Sequence, residues 1–465
     1  MIPMAVALVA EVCDGVLGAD ARECAGQEIV GVTVDSRGVE PGQLFVAMRG
    51  ERVDGHDFAA AALAQGAVAV LAERDIAGVP CVVVSDSVEA LGRLAHWYRR
   101  QRLTATVIGI TGSSGKTTTK DLVADTLDGN VIAAQGSFNT EVGVPLTILR
   151  ADESTEYLVL EMGMRGLGHI HYLADLAEPD IGVVLNVGTA HLGMMSDPGD
   201  IARAKGELVE ALSDEGHAII NDDDPQVRTM ANRTKARVVR FGTASTANVR
   251  ASAIRVDEQG RPSFSLLIED ANPVQVDLHF HGEHFVDAAL ASAAVAHVCG
   301  MDAERIATRL SAARPRSRWR MEVRNAPGGV TVISDVYNAN PESMRAALKA
   351  LRSMSHDGRS WAVLGEMREL GEASTREHDA IGRLAVRLDI SRLVCVGAGT
   401  KVMHLAASNE GSWGDESTWV EDADAAIALL DAELRPGDVV LVKASRAVGL
   451  EVITEHLLGR AVVST

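Results

Sequence analysis

Aromatic residues make up only 3% of this 465-residue chain, so its cores must be built from Ala, Val, Leu and Ile. Lysine is also scarce. Of the 44 basic residues only seven are lysines, which makes a lysine inside a motif harder to assign to chance. The five cysteines (Cys13, Cys24, Cys81, Cys299, Cys395) are scattered, odd in number and never spaced as CxxC. That excludes a disulfide framework or a zinc site as the organising device, and reduced thiols in a cytoplasm are the simple reading. Long apolar runs are missing too: the longest charge-free stretch, Ile181 to Ser196, has 16 residues and contains His191. A spanning helix needs about 20, so no membrane insertion is expected. The opening MIPMAVALVA has no basic segment before it, and Glu11 and Asp14 follow at once, so an amphipathic first helix is expected rather than a signal peptide. Positive charge is in deficit, 44 − 64 = −20, which argues against nonspecific binding to nucleic acid or an anionic membrane surface. An anionic small substrate stays open, because local basic groups decide that.

What is present has ordinary globular proportions, 47% hydrophobic and 23% charged, over a length that suggests about three domains. Strand runs Ile29–Val34, Gln43–Ala47, Val68–Ala72 and Cys81–Val84, with helices Phe58–Gln65 and Val88–Gln101, fill the first hundred residues. From Ala105 the units lengthen. Ala105–Thr111, Tyr157–Met162 and Ile181–Val187 read as buried parallel strands, with helices over Lys116–Leu127 and Asp200–Leu212. Weak alternation over 250–280 predicts an antiparallel excursion at the sheet edge. The basic, Pro-containing run Ala313–Arg318 marks a boundary, and beyond it strands and helices alternate again. The expected fold class is α/β in three domains: a small N-terminal α/β domain (1–103), a central P-loop-type α/β domain (104–313) and a C-terminal α/β domain (314–465) with a mostly parallel sheet.

The strongest local signal is VIGITGSSGKTTT, Val107 to Thr119. A buried strand enters the turn Gly112, Ser113, Ser114, Gly115, and a helix opens at Lys116. Such a turn lets backbone N–H groups face phosphate oxygens, Lys116 can reach the β/γ-phosphates, and the Thr117 hydroxyl can ligate Mg²⁺. The strict spacing GxxxxGK[ST] would need glycine at 110. Ile110 stands there, so the match is to the shorter TGxxGKTT form. Glu161 and His191 follow the next two strand runs, on the edge where open α/β sheets bind ligands. A carboxylate suits Mg²⁺ and is costly to bury unpaired, which favours a functional Glu161. His191 reads on its own as either a hydrogen-bonded loop histidine or a metal ligand. Lys205, in IARAKGELVEAL, lies one turn from Ile201 near the buried face of its helix, as a snorkelling or a functional lysine. Ser36 and Arg37, in VDSRGVEPG, form a polar turn or an anion site. Asn340 can cap the helix led by Pro341, which leaves Asp335 and Asn338 without a reason. Lys443-Ala-Ser445-Arg446 ends strand VVLV and is expected to open the last helix, another anion-binding geometry.

Taken in order, TGSSGKTT, LEMG, NVGTAHL and AKGEL resemble the Mur ligases of peptidoglycan synthesis and their relatives, the folylpolyglutamate synthetases. DSRGVEPGQLFVAMRGERVDGHDF resembles the muramoyl-peptide ligases that act after the first amino acids are added, and FNTEVGVPLTIL, SDVYNANPESM and VLGEMRELGEAS resemble the members that join D-alanyl-D-alanine to UDP-N-acetylmuramoyl tripeptide. The DNPR run usual in the diaminopimelate-adding members is absent. The resemblance runs from about Val32 to Leu457 and implies a UDP-sugar-peptide domain, a central ATPase and a Rossmann-like C-terminal lobe. It implies ATP and Mg²⁺ as cofactors, with Gly112, Ser113, Ser114, Gly115, Lys116, Thr117 and Thr118 on ATP. It further implies Thr117, Glu161 and His191 as metal ligands and a carbamylated Lys205 beside them. Arg318, Asp335 and Asn338 match nucleotide-side residues, and Ser36, Arg37, Asn139 and Thr140 the UDP-sugar side. Two departures are mild: Thr140 stands where Asn is commoner, and Ser317 where Gly usually precedes the arginine. Lys443, Ser445 and Arg446 are expected at the amino-substrate pocket. A cytoplasmic monomer is the expectation. A nucleotide switch that has kept its phosphate loop without ligase chemistry is the competing class, and Glu161, His191 and Lys205 together argue against it.

Overall fold

The computed structural model describes residues 1–50, 53–188, 198–356, 358–411, 414 and 416–459. Three multistranded sheets follow one another along the chain. The first has the order Val16–Leu17, Cys81–Val83, Ala69–Ala72, Gln43–Val46, Gly31–Thr33, parallel except for its first pair. The single strand expected over 29–34 is split. Glu28–Ile29 leaves the sheet to pair antiparallel with Met4–Ala5. The first helix is accordingly short, Val6–Val12, because Met4 and Ala5 serve as strand.

The central sheet has nine strands: Val131–Ala133, Tyr157–Glu161, Thr106–Thr111, Ile181–Val184, His217–Asn221, Arg237–Gly242, Val249–Val256, Pro262–Ile268 and Val274–Asp277. The first seven are parallel and the last two antiparallel, which is the expected edge excursion. Side chains alternate faces along a strand. Ile108, Ile110 and Val159 therefore enter one cluster with Leu122 and Val123 of helix Lys116–Thr126 and with helix Phe285–Val298. Val107, Leu158 and Leu160 enter another, with helices His169–Ala177 and Pro198–Glu210. That is why these strands read as continuous apolar runs: both faces are covered. Each large apolar side chain so buried stabilises by about 1.5–3 kcal/mol.

The second cluster does not stop at the first domain. Helix Ser87–Arg102 lays Leu91, Leu94 and Tyr98 into it. The Tyr98 hydroxyl accepts from Ile2 N (2.6 Å) and donates to Ala151 O (2.7 Å), so its polar end is satisfied in the core.

The third sheet runs Glu322–Ala326, Val330–Asp335, Val439–Lys443, Ser360–Leu364, Arg392–Val396, Ser417–Val420, parallel apart from its first strand. Between Ala312 and Glu322 the connector has no helix or strand. It is tied back to helix Lys116–Thr126 by an Arg316–Asp125 ion pair and by Ser317 Oγ, which donates to Asp121 Oδ2 at 2.5 Å. Helix Pro341–Met354 starts as expected, with Asn340 as N-cap in a capping box with Ser343. Strand Val439–Lys443 contains Lys443 itself, a 3₁₀ turn spans Arg446–Val448, and helix Glu451–Leu457 follows. Lys443 to Arg446 therefore lead into a 3₁₀ turn and do not open the last helix.

Candidate active site

Strand register places the site. Glu161 is the Cα partner of Ile110, and Val184 that of Thr111, so three strand ends converge where the glycine turn begins. Gly115 takes φ +80° as the residue before the helix, a conformation that glycine adopts without strain. Gly112 is held by space: a Cβ there would lie 2.9 Å from Leu185 Cβ. The turn is braced from the next strand end. Asn186 Oδ1 accepts from both Ser113 N and Ser114 N at 3.0 Å, and Gly188 N donates to Ser113 Oγ at 2.8 Å. Those two amides are therefore engaged by protein, and the donors left for a phosphate are those of the helix's first turn, where N–H groups have no intrahelical acceptor. Lys116 Nζ folds back to Gly112 O at 2.8 Å. Burial holds its amine below the usual lysine range; Glu161 opposes the shift and Arg320 adds to it.

Beside the turn, Thr117 Oγ1 donates to Glu161 Oε2 (2.8 Å), and Asn139 Nδ2 donates to Glu161 Oε1 (2.7 Å). Glu161 is 2% exposed, and among the described residues no cation lies within ion-pair distance of it. A buried carboxylate satisfied only by a hydroxyl and an amide, next to a second hydroxyl (Ser137 Oγ, 3.2 Å from Thr117 Oγ1), is a hard-oxygen donor set of the kind Mg²⁺ takes. Lys205 is 2% exposed on helix Pro198–Glu210. Its amine is held well below the normal range by burial and then by the charge of Lys116. Neighbouring Gly206 has a plainer explanation than function: a Cβ there would collide with the Arg233 guanidinium, which donates to Ala202 O and Arg203 O. His191 lies outside the described residues.

The third sheet supplies the opposite wall. Asp335 and Lys443 are cross-strand partners at two strand ends, and Lys443 Nζ donates to Asp335 Oδ2 (2.6 Å) and Asn338 O (2.8 Å). Asn340 Nδ2 crosses to the phosphate loop and donates to Ser113 O at 3.2 Å. A cleft of about 400 Å³ lies between the walls and brings together Ser113 to Thr118, Asn139, Glu161, Asp335, Asn338 and Lys443. Other expected residues stand apart. Arg37 is paired with Asp35 at 2.9 Å and its side chain is 87% exposed; Ser36 offers only its backbone O, to Gln65. Thr140 accepts from Val142 N and Gly143 N, opening a short helix. Ser445 Oγ accepts from Arg368 N, and Arg446 pairs with Glu451. Arg318 and Arg446 both stack on Trp319, at 5.0 and 4.2 Å, off the cleft wall.

Several lining groups were not singled out from sequence. Arg320 lies 4.1 Å over the Tyr337 ring and donates to Ser137 Oγ at 2.9 Å. His284 and Asp287 stand on the wall shared by the cleft and an adjoining cavity of about 470 Å³. Burial pushes the His284 imidazole down to about 4. It pushes the Asp287 carboxyl up to about 6, with the charges of Asp223 and Glu283 adding to the effect. Nothing local announces Arg320 or His284, since Ser137 and Asp335 lie far from them in the chain.

Comparison with known proteins agrees with this arrangement. Residues 28–99 match the catalytic domain of the Mur ligase family, 110–296 the Mur ligase middle domain and 319–446 the Mur ligase glutamate ligase domain. The UDP-N-acetylmuramoyl-tripeptide–D-alanyl-D-alanine ligase of Mycobacterium leprae is 48% identical, over 99% of each chain. The chain belongs to the Mur ligase family. A crystal structure of MurF from Acinetobacter baumannii matches this Mur ligase with a TM-score of 0.88 at 30% identity, over 98% of this chain and 99% of that one. MurF from Thermotoga maritima, solved with ADP, matches with a TM-score of 0.80 at 30% identity, over 92% and 97%. The three-domain α/β expectation holds, and no helix among the described residues is long and apolar enough to cross a membrane.

Proposed function

We propose that this Mur ligase uses ATP to join D-alanyl-D-alanine to the terminal carboxylate of UDP-N-acetylmuramoyl tripeptide in peptidoglycan precursor synthesis. The observation that carries the reading is one cleft in which the phosphate loop, Glu161 and the Asp335–Lys443 wall meet, in a chain matched from end to end by ligases of that name. A free carboxylate is a poor electrophile. Its oxygen therefore first attacks the γ-phosphorus and ADP leaves; the dipeptide amine then adds to the acyl carbon, loses a proton, and phosphate departs. Lys116 leaves Gly112 O to meet the phosphates, and positioning supplies most of the catalysis. Thr117, Glu161 and His191, with a carbamylated Lys205, would hold Mg²⁺, which when bound neutralises charge on the transferring phosphoryl group. On the nucleotide side we place Gly112 to Thr118, Asp335, Asn338 and Arg318.

Ser36, Arg37, Asn139 and Thr140 are proposed for the UDP substrate, and Lys443, Ser445 and Arg446 for the amine. We place the domain cuts after residues 103 and 313. We further propose a monomer. The five free thiols and the nucleotide substrates support a cytoplasmic location.

The deciding assay is ADP release with D-alanyl-D-alanine, diaminopimelate, lysine and glutamate offered against a defined UDP-muramoyl tripeptide. Turnover is expected with the dipeptide alone. Turnover with diaminopimelate but not D-alanyl-D-alanine, once UDP-muramoyl dipeptide replaces the tripeptide, would transfer the chain to the preceding step, and ATP consumption without either substrate would favour the switch reading. Arg318→Ala is expected to raise the KM for ATP by roughly tenfold or more, the scale of one hydrogen bond to a charged group, with the UDP-substrate KM unchanged. Unaltered ATP kinetics would remove Arg318 from the site.

A further inference from the structure

Lys120 is the one lysine of the phosphate-loop helix that the chemistry above leaves unused, and it is 3% exposed. A lysine is rarely buried this fully without partners, since desolvating an ammonium is costly. Its partners are specific. Nζ donates to Ala134 O at 2.8 Å and to Gly136 O at 3.4 Å, and it pairs with Asp121 Oδ1 at 2.7 Å. Both carbonyls belong to the segment that leaves the edge strand Val131–Ala133 and lines the cleft through Ser137 and Asn139. That segment then delivers Ser137, whose Oγ lies 3.2 Å from Thr117 Oγ1, and Asn139, whose amide donates to Glu161 Oε1 at 2.7 Å. Asn139 is fixed at its other end as well, its carbonyl accepting from Gly163 N at 2.8 Å.

From this geometry we infer that Lys120 is a positioning residue for the Thr117–Glu161 oxygen site. It ties residues 134–136 to the helix that bears Thr117, so that Ser137 and Asn139 arrive on the two atoms expected to face the metal. The spacing makes this possible. Lys120 lies one turn beyond Lys116 and Thr117, so one rigid helix carries both the phosphate-facing groups and the anchor of the neighbouring loop. Its counter-charge is shared with the domain connector, because Asp121 Oδ2 accepts from Ser317 Oγ. The inference rests on the proposed reading of Thr117 and Glu161 as metal-facing.

Lys120→Met keeps the apolar stem and removes the ammonium. ADP binding is measured by calorimetry in Mg²⁺ and in EDTA for wild type, Lys120→Met, Ser137→Ala and the double variant. Wild type is expected to bind more tightly with Mg²⁺, and Lys120→Met to lose about tenfold of that gain, the scale of an outer-shell partner, with affinity in EDTA within about twofold. Because Lys120 acts through the segment bearing Ser137, the double variant should be no weaker than Lys120→Met by more than about twofold. A metal-dependent gain that survives in folded Lys120→Met, or losses that multiply in the double variant, would overturn the assignment. No gain in wild type would remove the metal reading and this inference together, which separates the two failures. Hydrogen exchange of the unaltered protein covers the case in which Lys120→Met does not fold. Amides 134–139 should be protected without nucleotide, and exchange at the rate of an open loop would refute the anchor.

Discussion

Replacing Lys205 by alanine is expected to lower kcat by roughly 10²–10³-fold, the scale of removing one preorganised charge-stabilising group, and added acetate or propionate is expected to restore part of it. The reason is an electrostatic conflict. Lys205 and Lys116 sense one another as like charges, and Lys205 is buried on the core face of helix Pro198–Glu210, so its ammonium form is disfavoured twice. A neutral amine can add to CO₂: an N–C bond forms, a proton leaves, and the side chain ends in an anionic carbamate. The repulsion with Lys116 becomes an attraction, and the site gains oxygen donors that a hard cation takes. A free carboxylate diffusing into the space vacated in Lys205→Ala imitates that group. Lys205→Arg should be as inactive as the alanine variant, because a guanidinium keeps its charge. ADP release measured with and without carboxylate, and a carbamate resonance from ¹³C-labelled bicarbonate present only in wild type, check the idea. Activity in Lys205→Arg, or a loss that no carboxylate relieves together with no resonance, would mean that the lysine acts as a cation or as packing.

How much of this was legible in the sequence depends on where each residue's partners lie. Strands Thr106–Thr111 and Tyr157–Glu161 were readable because covering both sheet faces leaves an unbroken apolar run, and the turn Gly112–Gly115 because backbone geometry demands glycine locally. Glu161 was readable because a carboxylate closing such a run is out of place. The edge strands Val131–Ala133 and Glu322–Ala326 were not recognised, since both are largely half-exposed and alternate too weakly to stand out. Asn186 and Arg320 were invisible for another reason. Asn186 opens NVGTAHL but acts 72 residues back on Ser114, and Arg320 acts 183 residues back on Ser137, a reach that nothing in the local sequence marks. Arg37 has its structural partner close by in the chain. Its turn reads as a polar turn or an anion site, and the structure pairs it with Asp35, two residues earlier. Lys443 is marked by rarity, and its ammonium is held by Asp335, a buried pair between two strand ends on the cleft wall. Breaking such a pair from one side leaves a charge uncompensated.

Glu161→Gln separates stability from catalysis most sharply. Glutamine has the shape of glutamate, and Asn139 and Thr117 can still hydrogen-bond to its amide, so the fold should be kept. Removing a buried carboxylate that has no ion-pair partner among the described residues also removes its desolvation cost. The melting temperature without ligands is therefore expected to stay level or rise by about a degree, which is what about 1 kcal/mol produces in a chain this long. Activity should move the other way. Without the charge the Thr117–Glu161 site loses its only anionic oxygens inside the described shell, and Lys116 loses the attraction that opposes the effect of burial on its amine. A loss of roughly 10²–10³-fold in kcat is expected, together with the Mg²⁺-dependent part of ADP affinity. A residue kept for structure would behave differently: its loss would lower the melting temperature and would reduce activity only as far as unfolding does. Thermal melting and ADP-release kinetics on the same preparation give both signs. A destabilised Glu161→Gln with near-normal kcat would return Glu161 to the core as a structural carboxylate, whereas a stable and inactive variant leaves catalysis as the reason for keeping an ion where a neutral amide packs equally well.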